Sequence, residues 1–262
     1  MKKIFLIVAF ALVAFGASAW NVSQDEGVLI LATKHLTPEA KNMVDKYLGT
    51  SYNDDIQYIY GLERNKKSPY SKEVHYLHLG SNLAPMKVEG DDAFATLEQM
   101  VAILRAHKSY HEQVVTKALR VIINLMCDIH NFSNVRIDGV PHSQQDFTLH
   151  CYAGDMGKRK TINKVKWSRF WTIYGGWHPG FSGDFWAEDI EVCYGKKYTE
   201  LSEGTLNDWV AQIGAEASKL YERIKPDYEM TRRERNELEY LNYEMVARAG
   251  YRLGKLLNEL AK

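Results

Sequence analysis

The sequence predicts an all-α fold, a helical bundle with one loop-rich face, and three features carry that expectation. Apolar residues recur at three-to-four spacing over most of the chain, the period of one helix face. Most of those segments open on a Ser, Thr or Asp able to cap a helix. The longest stretch without the period, residues 132–198, is rich in Gly, His and aromatic residues.

The first segment is not part of the bundle. Met1-Lys2-Lys3, an apolar run from Ile4 to Phe15, and Gly16-Ala17-Ser18-Ala19 give the basic start, greasy centre and small-residue cleavage site of an export signal over residues 1–19. The run is too short to span a bilayer. Cleavage leaves Trp20 as the new amino terminus and residues 20–262 as a single domain without a linker or internal repeat. A periplasmic or secreted location, with no membrane span after cleavage, is expected.

Within that domain, Val28-Leu29-Ile30-Leu31-Ala32, flanked by Ser23 and Asp25 as caps, predicts a buried helix over 23–34. Thr37 as N-cap with Pro38 at the first helical position starts a second helix, which runs to Leu48 and stops at Gly49. Residues 50–90, with the turn-prone Asn65-Lys66-Lys67-Ser68-Pro69, read as extended connections. Asp91-Asp92 open a helix to about residue 107, and another covers 110–129 with Val114, Ala118, Val121, Ile122 and Leu125 on its apolar face. The loop-rich stretch holds one helical patch, Lys166 to Tyr174. Helices return over 205–224 and 231–260, the latter with Leu238, Leu241, Met245, Ala249, Leu253, Leu256 and Leu260 in register.

The balance of 33 basic and 33 acidic residues excludes a whole-molecule attraction for nucleic acid and leaves only local patches. The odd cysteine number leaves at least one of Cys127, Cys151 and Cys193 unpaired, and none has metal-ligand spacing. A Cys151 to Cys193 disulfide is the expected pairing, with Cys127 a buried thiol in its apolar helix.

Four segments together resemble the fungal single-strand-specific zinc nucleases and their bacterial relatives, and more remotely the zinc-dependent phospholipase C enzymes. They are Trp20 with the helix leading to His35-Leu36-Thr37-Pro38-Glu39-Ala40; Lys72-Glu73-Val74-His75-Tyr76, similar to a Trp-His-Tyr segment; Ala118 through Cys127-Asp128-Ile129-His130, similar to a His-x-x-Gly-Asp-x-His helix; and Ala249-Gly250-Tyr251-Arg252-Leu253-Gly254, similar to the family's last helix. The likeness spans nearly all of residues 20–262 and implies a phospholipase C/nuclease-type helical bundle. In that family three zinc ions, held by imidazoles, carboxylates and the terminal amine, activate a bridging water and clamp a phosphate.

The same resemblance implies that most of those ligands are replaced. Trp20 is kept, and Asp25 stands where the family has His. Glu63 falls near the family's upstream Asp, and His75 is present. The central helix carries Asn124, Asp128 and Asn134 where the family reads His, Asp and His. Lys166-Trp167-Ser168-Arg169-Phe170-Trp171-Thr172 is the best match to Asn-Leu-His-x-x-Trp-Asp, so Ser168 and Thr172 replace a His and an Asp. Trp20, Asp25, Glu63, His75 and Asp128 are remnant metal positions for at most one or two ions, and the expected cofactor state is no metal or partial zinc occupancy. No residue is assigned a catalytic role.

Each of these residues also has a plainer reading. His75 and Asp128 serve either as ligands or as a buried hydrogen-bonded pair, and Trp20 either as ligand or as an aromatic anchor. His107 and His111, four apart, look like a solvated helix junction rather than a metal pair, whereas His142, His150 and His178 are the available substitutes for lost ligands. Lys158 to Arg169, interleaved with Trp167, Phe170 and Trp171, has the basic and aromatic mix of a base- or sugar-stacking surface and equally that of a helix packing its aromatic face inward.

The leading expectation is a binding protein, catalytically inactive or much reduced, with a cleft lined by Asn124, Asn134, Ser168 and Thr172. Such a cleft suits a small polar ligand, a nucleotide or a glycan. The alternatives are a nuclease or phosphodiesterase with a reduced one- or two-metal site, in which Asp128 bridges the ions, and a structural or interaction protein without a ligand.

Overall fold

The structure, a computed structural model, describes residues 20–49, 74–90, 92–156, 159–174 and 182–262. The expected export signal and Glu63 lie outside the described residues. The described chain is mostly helical.

Helix α1 (Val22–Lys34) begins at Asn21 rather than at Ser23 or Asp25. Asn21 accepts from the Gln24 amide at 3.0 Å while Gln24 Oε1 accepts from the Asn21 amide at 3.3 Å, a reciprocal cap. Helix α2 (Pro38–Leu48) starts on Thr37 and ends at Gly49 with φ 83°, as the sequence predicts. Helix α3 (Ala93–Arg105), capped by Asp92, packs on α4 (Glu112–His130). The apolar face of α4 begins at Val115 rather than Val114: Val114 is exposed, while Val115, Ala118, Val121, Ile122 and Leu125 are buried. A short turn, Phe132–Asn134, leads from α4 into strand β2 (Val135–Ile137). That strand pairs in parallel with β1 (Leu77–Leu79), Leu77 opposite Val135 and Leu79 opposite Ile137.

The loop-rich face departs from an all-α architecture. It contains an antiparallel hairpin, β3 (Thr148–Met156) with β4 (Arg159–Lys166), extended by β5 (Glu229–Met230) in the order β4-β3-β5. Leu149, Cys151 and Val165 are buried, alternating with His150, Lys164 and Lys166, which are not. Helix α5 (Trp167–Arg169) follows directly and continues as a π turn, Phe170–Tyr174. Helices α6 (Gly183–Tyr194), α7 (Tyr198–Ser202), α8 (Leu206–Arg223) and α9 (Arg232–Leu260) complete the chain, with Ser182, Thr205 and Thr231 capping α6, α8 and α9. Among the described residues no helix is long and apolar enough to cross a membrane.

The expected Cys151–Cys193 disulfide does not form. Cys151 is buried in β3 while Cys193 is exposed on α6. Burial pushes the Cys151 thiol up to about 11.

Helix α1 sits between α6 and α9, and glycines set both approaches. A Cβ on Gly27 would lie 2.6 Å from Trp186 Cβ, and one on Gly183 would lie 2.4 Å from Glu26 Cβ. On the other side, a Cβ on Gly254 would lie 2.9 Å from the Ala32 carbonyl oxygen. A second tie runs through Arg252, buried on α9. It donates to the Leu201 carbonyl at 3.1 Å, to His130 Nε2 at 3.1 Å and to Gln212 Oε1. Arginine has no acceptor, so His130 Nε2 is unprotonated and its Nδ1–H donates to the Met126 carbonyl at 2.7 Å. Burial first, then the Arg252 charge, hold the His130 imidazole well below its usual range. Burial likewise brings the Arg252 guanidinium down to about 9.

Replacing Gly27 by Val should force α1 and α6 apart and cost roughly 1–3 kcal/mol. Urea unfolding of the variant against the parent checks it, and an unchanged midpoint would show that the crossing relaxes freely.

Candidate functional site

Parallel pairing of β1 with β2 sets the residues that precede each strand side by side at the carboxyl end of α4. His75 precedes β1, Asn134 precedes β2, and Asp128 lies in the last turn of α4. His75 Nδ1 is 2.6 Å from Asp128 Oδ2, and Asn134 Nδ2 donates to Asp128 Oδ1 at 3.1 Å. All three residues are buried. Burial raises the Asp128 carboxyl above the usual carboxylate range, with the adjacent His75 opposing that shift. With the carboxylate ionised, His75 carries its proton on Nδ1 and donates. Each carboxylate oxygen therefore has a protein donor.

Tyr221 on α8 fixes the turn that carries Asn134. Its hydroxyl is 2.8 Å from the Phe132 carbonyl and 3.0 Å from that of Val135, and it accepts from Trp167 Nε1 at 3.3 Å. Burial pushes its phenol up to about 12, so it stays a neutral donor.

The remaining predicted positions divide. Asn124 lies one helical turn before Asp128, buried, with Nδ2 donating to the Arg120 carbonyl at 3.1 Å. Its Oδ1 is buried without a hydrogen-bond partner among the described residues. Trp20 is buried as well, and its indole N–H donates to Asn242 of α9 at 2.8 Å. That bond makes Trp20 an anchor through its side chain. Asn21 Nδ2 donates to the Thr172 carbonyl at 3.1 Å, which holds the start of α1 beside the π turn. Asp25 is buried within α1.

Two residues expected to line the cleft are engaged elsewhere. The Ser168 hydroxyl donates to Asp146 Oδ2 at 2.8 Å, and the Ser168 amide donates to Asp146 Oδ1 at 2.9 Å. Asp146 is exposed, so this pair caps α5 at the surface. The Thr172 hydroxyl donates to the Arg169 carbonyl at 3.2 Å, inside its own turn.

The aromatic stacking surface is not there. Trp167, Phe170 and Trp171 are 1%, 0% and 1% exposed, too enclosed to offer a ring face to a base or sugar. They pack against one another, with Trp171 5.2 Å from Phe132 and Trp167 stacked 5.5 Å from Phe147, as core residues.

The other histidines also have partners of their own. His107 Nδ1 bonds the Leu104 carbonyl at 3.0 Å, and His111 caps α4 by accepting from the Gln113 amide at 3.3 Å. His142 donates to the Tyr221 carbonyl at 2.9 Å, and His150 lies 3.6 Å from Asp227. His178 lies outside the described residues. Among the described residues no three His, Cys, Asp or Glu side chains come together as a metal-binding group.

Amides at Asn124 and Asn134, with committed hydroxyls at Ser168 and Thr172, do not fit a trinuclear zinc cluster, which needs imidazoles and carboxylates as donors. Tyr221, Asp146 and Asn242 escaped the sequence reading. Their partners lie far away in sequence, 89 residues apart for Tyr221 and Phe132, and no spacing rule spans that distance.

Replacing His75 by Ala should cost roughly 1–3 kcal/mol by leaving the buried Asp128 carboxyl a donor short, with His75→Gln recovering part of it. Trp171→Ala should cost roughly 3–5 kcal/mol as a core truncation. Chemical unfolding reads both, and a near-neutral Trp171→Ala would mean that the ring is not core. Among known proteins, no family model matches the chain and no curated protein matches it.

Proposed function

We propose that this chain is a metal-independent binding protein on the helical scaffold of the zinc nuclease and phospholipase C superfamily, with hydrolysis lost or much reduced. The observation that carries this reading is the state of Asp128. On the family alignment it is the residue that bridges metal ions, yet both of its oxygens are met by His75 and Asn134. A carboxylate already holding two protein donors has little to offer a pair of cations, and without metal there is no activated water for phosphodiester attack.

Binding is supported by buried polar atoms that lack partners among the described residues. Asn124 Oδ1, Gln24 Nε2 and Trp171 Nε1 are all of this kind. An unmet buried polar group costs about 1–3 kcal/mol, so an occupant that pairs with any one of these atoms would be stabilised by that contact. Uncharged amide and indole groups suit a neutral polar ligand, a nucleoside or a sugar, better than a phosphate.

Metal analysis and hydrolysis assays test the proposal together. The purified chain, beginning at Trp20, should bind less than one zinc ion per molecule and leave single-stranded DNA and a model phosphodiester intact. Two or more ions, removed by chelator together with cleavage activity, would overturn it. Restoring donors beside Asp128 through Asn124→His and Asn134→His should raise zinc affinity, and thermal shifts against nucleosides and oligosaccharides should identify the ligand class.

A further inference from the structure

We propose that the outer face of the hairpin, formed by β4 and the start of α5, docks on an anionic lipid surface. Residues 156–183 contain no Asp or Glu but hold Lys158, Arg159, Lys160, Lys164, Lys166 and Arg169. In a chain balanced at 33 basic and 33 acidic residues, that run is a concentrated patch inside a neutral whole.

The structure places Lys164, Lys166 and Arg169 in the open. All three are exposed, and no carboxylate among the described residues forms an ion pair with them. Lys166 Nζ donates to the main-chain carbonyl of Asp146 at 2.9 Å, while the Asp146 carboxylate is held by Ser168. Within the sheet, Asp155 of β3 pairs in register with Lys160 of β4, and the other acids lie at the far edge. Glu229 pairs with His150 across the β3–β5 ladder, and Asp227 lies 3.6 Å from the His150 ring. The end of β4 that carries Lys164 and Lys166 thus faces no acid across the ladder, its register partners being His150 and Thr148.

Alternation puts Ile162, Lys164 and Lys166 on one face of β4, about 7 Å apart in succession. Ile162 is 40% exposed beside these cations. A bilayer surface uses both features, lysines toward headgroup phosphates and an aliphatic side chain toward the acyl boundary. A single-stranded nucleic acid would need aromatic faces for its bases, and among the described residues the neighbouring Trp167, Phe170 and Trp171 are sealed in the core. Lysines on an edge strand also discourage strand-to-strand association. The acid-free run extends beyond the strand through Arg169 to Gly183, further than edge protection requires.

Sedimentation with vesicles tests the proposal. The purified chain should bind equimolar phosphatidylglycerol–phosphatidylcholine vesicles, should ignore pure phosphatidylcholine, and should release as salt rises. At about fivefold per charge, the triple variant Lys164→Ala, Lys166→Ala, Arg169→Ala should bind on the order of a hundredfold more weakly. Ile162→Ser should weaken binding at high salt, where charge is screened, and Lys196→Ala with Lys197→Ala should leave it unchanged. Circular dichroism confirms that each variant is folded. Equal binding to neutral vesicles, no binding at all, or a triple variant indistinguishable from the parent would overturn the assignment. So would displacement from the vesicles by lower concentrations of oligonucleotide or polyglutamate than of anionic lipid.

Discussion

A carboxyl group buried on an apolar helix has to find donors, and much of the architecture around Asp128 serves that requirement. Water is excluded at this position, so the charge is tolerated only where hydrogen bonds replace hydration. One donor arrives from the segment before β1 and the other from the turn before β2. Neither would be in place without the parallel pairing of those two short strands, and the turn in question is pinned by the Tyr221 hydroxyl. The fold therefore brings α4, both strands and α8 into one arrangement around a single acid.

The second constraint is steric. Helix α1 fits between α6 and α9 because Gly27, Gly183 and Gly254 remove the side chains that would hold the helices apart. That close fit fixes the start of α1, and with it Trp20 against Asn242 and Asn21 against the Thr172 carbonyl. The amino-terminal segment is thereby tied both to α9 and to the π turn after α5. Packing and polar site are joined through these few bonds.

Much of the helical framework was legible in the sequence. Thr37-Pro38, Asp92, Thr205 and Thr231 all act as the caps their chemistry suggests, because capping is local and one side chain satisfies backbone groups two or three residues away. The hairpin was not legible. Its buried residues, Leu149, Cys151 and Val165, are separated by histidine and lysines, and the alternation is too sparse to stand out beside Gly and aromatic residues. At the site, a hydrogen-bonded His75–Asp128 pair was one of two readings the sequence left open, while the approach of Asn134 to the same acid was not legible. The engagement of Ser168 by Asp146 was not, because a surface cap on a three-residue helix leaves no periodic trace. The burial of Trp167, Phe170 and Trp171 was undecidable from composition, as basic residues and aromatics alternate equally in a stacking platform and in a core-facing turn.

The chemistry at Asn134 is that of an amide meeting a buried carboxylate, and it differs from that of an imidazole in the same place. An imidazole ligand gives a lone pair to a cation, and the cation in turn balances the charge of a neighbouring carboxylate. Replace that imidazole by an amide and the cation loses a ligand, but the carboxylate gains a hydrogen-bond donor at the same place. Asparagine at this place acts as a donor: its Nδ2–H meets Asp128 Oδ1 directly. His75 supplies the matching donor, with a ring nitrogen on the other oxygen. An acid met by two such donors has the cost of its burial offset by hydrogen bonds alone, and the bundle around Asp128 is held on those terms.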